Sequence, residues 1–363
     1  MRKKKIFLGG YLNYTNAQNL NCLSLARHLD KEKFDIHALT THFGDNHIED
    51  VSVKLFHCFR PFLFTKYSGF IWGILNCEIL YFPKHQEIPV WVLRFANLLS
   101  KKIFTTIEGN MCDTTKISMI DSFNGLQNMQ NYFSLIPNIY GITKHIINNA
   151  TCGVKLNNNP LYLGVEKDNF FTEKKKSLNN IVFIGSLIRR KNIEEFFKLA
   201  NIFPNLNFHI IGNKKYVKIS KKRRVNRKDK WSNKRDKNEK IEFSDNIILQ
   251  GKINREDLPE KLKEIDLLFL PSRSEGFPKV ILEAAASAIP SIVYHDYGAL
   301  EWMTTNENGF VVNSFNDVIE KINKLINNPD LLQENSEGAL NLSEKFEWKN
   351  LIKNWEEVID NLR

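Results

Sequence analysis

The feature that most constrains the fold is a strand, a tight loop and a helix in direct succession near the middle of the C-terminal half. The apolar run Leu267–Leu270 is typical of a buried strand, and it stops at Pro271. Gly276 indicates a turn, Pro278 suits the first helical position, and the helix formers at 279–288 predict a helix that Pro290 ends. Such a unit is the building block of α/β folds with a parallel sheet.

The start of this predicted helix is suited to a phosphate group. A helix N-terminus offers unpaired backbone N–H groups and about half a positive charge. Two carboxylates, Glu275 and Glu283, flank this point in the sequence. Carboxylates beside a diphosphate repel it unless they point past it toward hydroxyl groups. The pattern therefore favours a ligand with phosphates in the middle and hydroxyl groups at both ends, as in a nucleotide sugar.

The same stretch resembles a known family motif. Pro-Ser before the loop, Glu-Gly-Phe-Pro within it and Leu-Glu-Ala after it resemble the Glu, seven residues, Glu motif of the retaining family 4 glycosyltransferases. The resemblance implies the GT-B fold, an α/β architecture of two Rossmann-like, doubly wound parallel-sheet domains facing across a cleft. It also implies that Glu275 contacts the transferred sugar and that Glu283 holds the nucleotide ribose. A pair of solvated acids is the plain alternative, but the flanking agreement makes chance unlikely.

A second segment resembles the family pattern Gly-Arg-Leu, three residues, Lys-Gly, whose cations hold the donor diphosphate. Lys191 matches the lysine of this pattern, whereas Ser186 replaces the arginine and Asn192 the second glycine. A leaving diphosphate needs cationic partners to stabilise its charge. Either Arg189 or Arg190 supplies what Ser186 lacks, or the donor binds more weakly.

The resemblance thus implies a full set of site residues. We predict that Glu275 and Lys191 act in catalysis and that Glu108, which stands where many relatives have a histidine, contacts the acceptor. A solvated loop acid is an equally good explanation of Glu108. The predicted donor-binding residues are Gly10, Ser186, Arg190, Ile253, Gly276, Phe277, Pro278, Lys279, Leu282 and Glu283.

The order of predicted elements indicates two domains in the 363 residues. We predict an acceptor-side domain at 1–170, a linker at 171–180, and a nucleotide-sugar-binding domain at 181–345 with an insertion at 213–246. A closing helix at 346–363 is expected to cross back to the first domain. The N-terminal run of apolar residues is too short for a signal peptide, and no segment is long and apolar enough to span a bilayer.

Cysteine usage and charge bear on the location and the partners. The five cysteines are scattered and odd in number, which disfavours a disulfide framework and favours a reducing cytosol.

Residues 214–240 contain 14 Lys or Arg against 3 Asp or Glu, and the rest of the chain is almost neutral. A solvated, disordered loop is the plain reading of this segment. The functional alternative is contact with an anionic membrane. Nucleic-acid binding is unlikely, because few aromatic residues besides Trp231 lie among the charges and no recognised binding module is present.

The combined prediction is a cytoplasmic, retaining glycosyltransferase that moves a sugar from a nucleoside diphosphate to a glycan or lipid-linked acceptor, in the setting of bacterial surface polysaccharide synthesis. No Asp-x-Asp pair occurs in the chain, so neither a metal nor another cofactor is expected. Two alternatives remain open. One is another GT-B enzyme, such as a sugar-nucleotide epimerase or a phosphorylase, and the other is a non-catalytic module that binds nucleotide sugars or membranes.

Overall fold

The computed structural model describes residues 2–44, 48, 51–116, 118–212 and 244–362. Its contacts divide the chain into two domains, a first made of Met1–Leu163 and Trp348–Arg363 and a second made of Gly164–Glu347. The division after Leu163 falls a few residues before the predicted linker at 171–180. The basic segment 214–240, including Trp231, lies outside the described residues.

The first domain is built on a six-stranded parallel sheet. Its strands are β1 (Lys4–Tyr11), β2 (Phe34–Thr41), β3 (Lys54–Cys58), β4 (Ile79–Tyr81), β5 (Lys102–Ile107) and β6 (Asn138–Gly141). Its helices are α1 (Ala17–His28), α2 (Phe62–Asn76), α3 (Val90–Leu98), α4 (Met119–Ser122), α5 (Leu126–Phe133) and α6 (Lys144–Asn148). The strand order is β3-β2-β1-β4-β5-β6. Each pair is parallel, with Ile6 of β1 opposite both Ile36 and Ile79.

The second domain repeats this plan. Its strands are β7 (Asn180–Ile184), β8 (Asn207–Ile211), β9 (Ile247–Gly251), β10 (Leu267–Leu270), β11 (Ser291–Tyr294) and β12 (Gly309–Val312). Its helices are α7 (Ile193–Ile202), α8 (Leu258–Leu262), α9 (Lys279–Ala286), α10 (Phe315–Asn327) and α11 (Pro329–Lys345). The order β12-β11-β10-β7-β8-β9 again reverses between the first and fourth strands along the chain. This is the 3-2-1-4-5-6 order of a Rossmann fold.

The last helix, α12 (Trp348–Asp360), belongs by its contacts to the first domain. The indole Nε1 of Trp355 donates a hydrogen bond to the carbonyl of Tyr162 at 3.0 Å, and its ring lies against Tyr81, with ring centres 5.8 Å apart. Lys102 Nζ donates to the carbonyl of Leu362. The chain therefore returns to its first domain after completing the second.

The core of each domain lies between the sheet and its helices. Gly73 of α2 lies on the ring of Phe7, since a Cβ at that position would stand 2.5 Å from the ring carbons. In the second domain Phe196 of α7 stacks on Phe269 of β10, with ring centres 6.3 Å apart. No helix among the described residues combines the length and the apolar character that crossing a membrane requires.

The cysteines contradict the sequence prediction in part. Cys112 and Cys152, which are 40 residues apart in sequence, form a disulfide with Cα atoms 5.4 Å apart. Cys22, Cys58 and Cys77 are free and buried. Spacing could not predict the pair, because the loops after β5 and β6 bring the two residues together only in the folded domain. The cysteines therefore give no indication of a reducing compartment.

Candidate active site

The candidate site lies where the strand order of the second sheet reverses, at the neighbouring strands β7 and β10. In open α/β sheets, ligands bind beyond the carboxyl ends of the strands at such a point. The carboxyl end of β7 leads into residues 185–192, and that of β10 leads into residues 271–278. Both motifs found in the sequence therefore emerge side by side.

Glu275 is the centre of this arrangement. Its side chain is 8% exposed and lies 2.7 Å from Arg190 Nη1 and 2.5 Å from Lys191 Nζ. Arg190 Nη1 also donates to the backbone carbonyl of Ser274 at 2.6 Å. The structure therefore brings three predicted site residues, Glu275, Arg190 and Lys191, into one ion-paired group with a net charge of +1.

Burial and charge oppose each other in this group. Burial raises the pKa of the Glu275 carboxyl, but the charges of Lys191 and Arg190 outweigh burial and hold that pKa below its ordinary value. Burial lowers the pKa of Lys191, and its pairing with Glu275 opposes that change. Glu275 is thus ionised at neutral pH, and the pair is held in a nearly dry environment where electrostatic interactions are strong.

The segment after β7 explains two departures from the family pattern. Asn192 has φ 49° and ψ 42°, the left-handed conformation that asparagine tolerates better than other non-glycine residues. It can therefore occupy the position where the pattern has glycine. Ser186 is exposed, and its carbonyl accepts a hydrogen bond from the backbone N–H of Ile188. The side chain of Arg189 lies outside the described residues, so Arg190 is the arginine that the described contacts place beside Glu275.

Arg273 and Phe277 fix the loop that carries Glu275. Arg273 forms ion pairs of 3.3 Å with Glu195 of α7 and with Asp296, and its guanidinium lies 3.3 Å from the centre of the Tyr294 ring. The Phe277 side chain is buried, with its ring 5.1 Å from the ring centres of Trp302 and Phe346. These contacts hold both sides of the loop, so the carboxylate of Glu275 is positioned by packing.

The helix after the loop begins one residue later than predicted and ends earlier, at Ala286. Pro278 is the N-cap residue, not the first helical residue, and no side chain among the described residues caps α9. The backbone N–H of Ile281 in its first turn donates to the carbonyl of Pro278. The N-terminus of the helix remains electrostatically favourable for an anion. Gly276, which precedes the apolar anchor of the loop, is buried.

Glu283 lies in the second turn of α9 and has a partner that the sequence did not indicate. Its side chain is 6% exposed, and Arg255 Nη2 lies 3.0 Å from its Oε1. Leu282 is fully buried in the core, so its side chain supports the helix. Ile253 is half-buried in the turn that follows β9. The second carboxylate is therefore also held by an arginine, but by a different one.

Tyr297 is a further buried polar residue near the ion-paired group. It is 2% exposed, and its hydroxyl has no hydrogen-bond partner among the described residues. Burial, then the charges of Glu275 and Asp296, raise its pKa well above the ordinary value. The tyrosine therefore stays neutral and its hydroxyl can serve as a donor.

Two predicted residues, Gly10 and Glu108, lie in the first domain. Gly10 lies within β1, not in a loop, and a Cβ there would stand 2.7 Å from Cys22 Sγ. Its lack of a side chain is therefore required for α1 to pack on the strand. This packing role was not expected from the sequence, where Gly10 was predicted to bind the donor.

Glu108 follows β5 and lines a cavity of about 430 Å³ together with Lys84, His85, Glu87 and Met119. The amide of Asn21 donates to Glu108 Oε1 at 2.7 Å. The cavity lies at the carboxyl ends of β4 and β5, next to the point where the first sheet reverses its strand order. Its volume is typical of a small-molecule site.

Two residues of this cavity are buried and ionisable. Lys84 is 5% exposed, with Nζ 2.6 Å from Glu87 Oε1 and 4.5 Å from the centre of the Tyr11 ring. His85 Nε2 lies 2.6 Å from Thr105 Oγ1, and burial lowers the pKa of His85 to about 3. His85 is therefore a neutral imidazole at physiological pH.

The sequence prediction missed these residues, as it missed Arg255, Arg273 and Tyr297. A signal for Lys84 and His85 existed, because both come shortly after the apolar run at 79–82, and the residues that follow parallel strands are often ligand-binding. Arg255 and Arg273 had no such signal, since their partners are far away in sequence. Within the described part of the chain, no cluster of His, Cys, Asp and Glu side chains has the composition of a metal site.

Comparison with known families gives a match over the second domain. Residues 165–341 match the family model described as glycosyl transferases group 1. The matched range contains both segments of the candidate site and lies wholly within the second domain.

Curated relatives are similar over about half of the chain. An uncharacterized glycosyltransferase of Methanocaldococcus jannaschii is 27% identical over 61% of this chain and 58% of its own length. The N,N'-diacetylbacillosaminyl-diphospho-undecaprenol alpha-1,3-N-acetylgalactosaminyltransferase of Campylobacter jejuni is 25% identical over 56% of this chain and 52% of its own length. The chain therefore spans little more than half the length of these two relatives.

Solved structures are similar over the whole chain. Sucrose-phosphate synthase from Thermosynechococcus elongatus has a TM-score of 0.75 at 13% identity, covering 99% of this chain and 98% of that one. HepE of Anabaena, solved in complex with UDP-glucose, has a TM-score of 0.74 at 14% identity. The similarity covers 99% of this chain and 100% of that one. At this level of identity the similarity concerns the fold alone, and the predicted GT-B fold class is confirmed.

Proposed function

Residues 165–341 belong to the glycosyl transferases group 1 family, and on that premise we propose that the chain transfers a sugar from a nucleoside diphosphate to an acceptor. The observation that carries the proposal is the buried carboxylate of Glu275 held between Arg190 and Lys191, beside the uncapped start of α9. Two cations and a helix N-terminus suit a diphosphate, and a fixed carboxylate beside them suits the hydroxyl groups of a sugar.

The diphosphate binds to Arg190, Lys191 and the N-terminus of α9. Because the ion-paired group carries a net charge of +1, it attracts a diphosphate although Glu275 lies within it. When the bond between the sugar and the diphosphate breaks, negative charge develops on the leaving oxygen. Cationic groups that are already in position stabilise that charge without reorganising. In this proposal these cationic groups stabilise the leaving diphosphate, as a metal ion does in other sugar-nucleotide sites, and no cofactor is needed.

Glu275 orients the transferred sugar by accepting hydrogen bonds from its hydroxyl groups. In the proposed reaction the anomeric carbon loses the diphosphate oxygen and gains the acceptor oxygen on the same face, so the configuration is retained. The departing phosphate oxygen takes the proton of the acceptor hydroxyl. Relatives named as an alpha-glucosyltransferase and an alpha-1,3-N-acetylgalactosaminyltransferase support an α-linked product.

Glu283 binds the nucleoside end of the donor in this proposal, by accepting hydrogen bonds from the ribose hydroxyl groups. Arg255 keeps the buried carboxylate ionised and oriented. In the first domain, Glu108 and the adjacent cavity with Lys84 and His85 bind the acceptor. Relatives are named for glycan and lipid-linked acceptors, among them an alpha-galactosylglucosyldiacylglycerol synthase of Streptococcus pneumoniae. We propose an acceptor of these classes in surface polysaccharide or glycolipid synthesis.

The test is a thermal-shift screen of nucleoside diphosphates and their sugars, followed by measurement of donor consumption with and without a chelator. Lys191→Met is expected to lose at least about 100-fold in donor turnover, because a single preorganised charge of this kind contributes about 3 kcal/mol. Glu337→Gln, at an exposed ion pair with Lys174, is the matched control and is expected to leave turnover unchanged. Loss of activity on chelation would refute the metal-independent mechanism.

The products distinguish the alternatives. A free epimer of the donor sugar would identify an epimerase, a sugar phosphate would identify a phosphorylase, and tight donor binding without turnover over a broad acceptor panel would identify a binding module. Each of these results would refute the proposed transferase. A cytoplasmic location, and contact of residues 214–240 with the inner face of the plasma membrane, are also proposals, and cell fractionation tests them.

A further inference from the structure

A second cavity of the first domain is separate from the candidate active site. Its volume is about 1120 Å³, and it lies along β6, the edge strand of the first sheet, between the segment 153–162 and one side of α12. Among the described residues, none that lines it also lines the cavity at Glu108. The donor and acceptor sites proposed above therefore leave this space, which we call the β6-edge cavity, without a role.

The first wall of the β6-edge cavity is a loop fixed to the strand at two points. The backbone N–H of Asn157 donates to the carbonyl of Ile139 at 2.7 Å, and that of Leu161 donates to the carbonyl of Gly141 at 2.9 Å. The two donors are four positions apart in sequence and the two acceptors only two, so residues 158–160 bulge away from β6. The bulge forms a wall whose two ends are held by backbone hydrogen bonds.

Another wall is one side of α12. Asn354 and Val358 of this helix and Asn361 directly after it recur at helical spacing, and all three line the cavity. The other side of the helix packs on the domain, where the indole Nε1 of Trp355 donates to the carbonyl of Tyr162 at 3.0 Å. The cavity is therefore enclosed by fixed elements of a single domain.

Amide side chains make up most of the polar lining. Asn158 and Asn159 on the loop are exposed, as are Asn354 and Asn361 at α12, and no hydrogen bond joins these four side chains to another described residue. Each amide has a carbonyl oxygen that accepts and an NH₂ group that donates. A sugar hydroxyl also both donates and accepts, so amides can satisfy both of its functions, whereas lysine can only donate.

The rest of the lining is largely apolar and includes two tyrosines. Leu156, Leu161 and Tyr140 are buried, and Tyr162 is half-buried. The C–H faces of a pyranose ring are apolar, and their slightly positive hydrogens pack well on the negative face of an aromatic ring. Apolar and aromatic side chains combined with a few polar groups are typical of a ligand site.

The charges and the backbone contacts argue against other ligand classes. Among the described residues, the charged ones that line the cavity are Lys144, Lys155 and Glu357, with a net charge of +1. A nucleic acid requires several cations along its backbone. A peptide strand added to the sheet edge would need the carbonyls of Ile139 and Gly141, which already accept hydrogen bonds from the loop.

From this lining we propose that the β6-edge cavity binds a neutral glycan chain, as a carbohydrate site separate from the one where the sugar is transferred. Several sugar units fit, because the volume of about 1120 Å³ exceeds the usual upper size of a small-molecule site, about 1,000 Å³. The binding itself does not depend on the proposed transfer reaction. Its use rests on that function, since a polymer held in this cavity has a raised effective concentration at the acceptor cavity of the same domain.

The test is a glycan array that carries neutral and acidic bacterial oligosaccharides of increasing length, followed by isothermal titration calorimetry of the full chain with the neutral oligosaccharide that binds best. The double variant Asn354→Ala/Asn361→Ala is expected to weaken this binding at least about tenfold, because two hydrogen-bonding amides are lost. Asn323→Ala/Asn327→Ala is the matched control, since both asparagines are exposed on α10 of the second domain, and its affinity is expected to equal that of the original chain.

The proposal is overturned if no neutral oligosaccharide binds, if only acidic glycans bind, or if Asn354→Ala/Asn361→Ala binds as tightly as the original chain. An unchanged melting temperature shows that the double variant is folded. In a transfer assay the double variant is expected to raise KM about tenfold for a long acceptor and to leave KM for a monosaccharide acceptor unchanged. An equal rise for both acceptors would place the two amides in the acceptor site and overturn the proposal. Oligosaccharide binding without any transfer would refute the proposed function and leave the glycan site supported.

Discussion

Replacing Glu275 with glutamine is expected to change binding and turnover in opposite directions. The substitution keeps the shape of the side chain but removes the negative charge between Arg190 and Lys191, which lie 2.7 and 2.5 Å from it. The group then carries +2 in place of +1. A nucleoside diphosphate without a sugar is expected to bind more tightly, because the site is more positive. A nucleotide sugar loses the carboxylate that orients its hydroxyl groups, so transfer is expected to fall.

The size of the binding effect follows from Coulomb's law. One charge at about 5 Å from a phosphate, with an effective dielectric constant of about 20, corresponds to about 3 kcal/mol. Solvent at Arg190, which is 28% exposed, reduces this value. We therefore expect the affinity for the nucleoside diphosphate to rise about tenfold in Glu275→Gln. Sugar transfer is expected to fall at least about 100-fold, because the charge-assisted contacts to the sugar are lost.

The same substitution is expected to destabilise the unliganded protein. Removing one partner of a buried ion pair costs about 3 to 5 kcal/mol, because the remaining charge stays buried. For a domain of this size, about 3 kcal/mol lowers the melting temperature by roughly 6 to 12 °C. A saturating nucleoside diphosphate is expected to restore most of the loss, since it supplies new counter-charge.

Isothermal titration calorimetry, a transfer assay and a thermal melt measure the three quantities. Lys191→Met is the matched comparison, since it removes a cation from the same group and is expected to weaken nucleoside diphosphate binding. The reasoning is refuted if Glu275→Gln weakens binding as Lys191→Met does. It is equally refuted if the glutamine variant transfers sugar within about threefold of the original rate.

The other predictions concern the ribose contact, a buried histidine and the disulfide. Arg255→Met, which leaves Glu283 without its partner, is expected to weaken nucleoside diphosphate binding about tenfold and to affect a 2′,3′-dideoxy analogue much less, as titration of both ligands will show. The pKa of His85 is about 3 in the folded protein, below its ordinary 6.5, so the stability it contributes is present above pH 6.5 and is lost as the pH falls toward 3. The loss is about 1.4 kcal/mol at pH 5.5 in urea unfolding and is absent in His85→Asn. Cys112→Ser, which opens the 40-residue loop to Cys152, is expected to lower the unfolding free energy by about 4 kcal/mol in the same assay.

Controls are available for each of these. Lys261→Met removes an exposed cation of α8, the helix that follows Arg255, and is expected to leave ligand binding unchanged. His295→Asn removes an exposed histidine and is expected to keep the acid-dependent slope. For the disulfide, alkylation of the denatured, unreduced chain is expected to label the three free cysteines, and labelling of all five would contradict the bond.

The sequence predicted much of the fold because strands and loops carry local signals. The apolar runs at β7 and β10 and the proline and glycine residues around them defined the central unit of the second domain within a few residues. Helix α2 was not predicted, because a segment that is apolar on both sides shows no helical periodicity. Strand β12 was also not predicted.

The candidate site was predictable where a motif marks it and not where partners meet through folding. Glu275 and Lys191 came from motifs, and the structure places them in contact. Their contact could not be read from either motif, because it depends on β7 and β10 being neighbours at the point where strand order reverses. The pairing of Glu283 with Arg255 and the Cys112–Cys152 disulfide join residues whose proximity exists only in the folded chain.

The most direct measurement is a crystal structure of the chain with the nucleoside diphosphate selected by the thermal-shift screen. We expect the terminal phosphate within hydrogen-bond distance of Lys191 Nζ and of the N-terminus of α9, with Glu283 at the ribose. A nucleotide bound elsewhere, or at this site with its phosphates directed away from Lys191 and α9, would contradict the account.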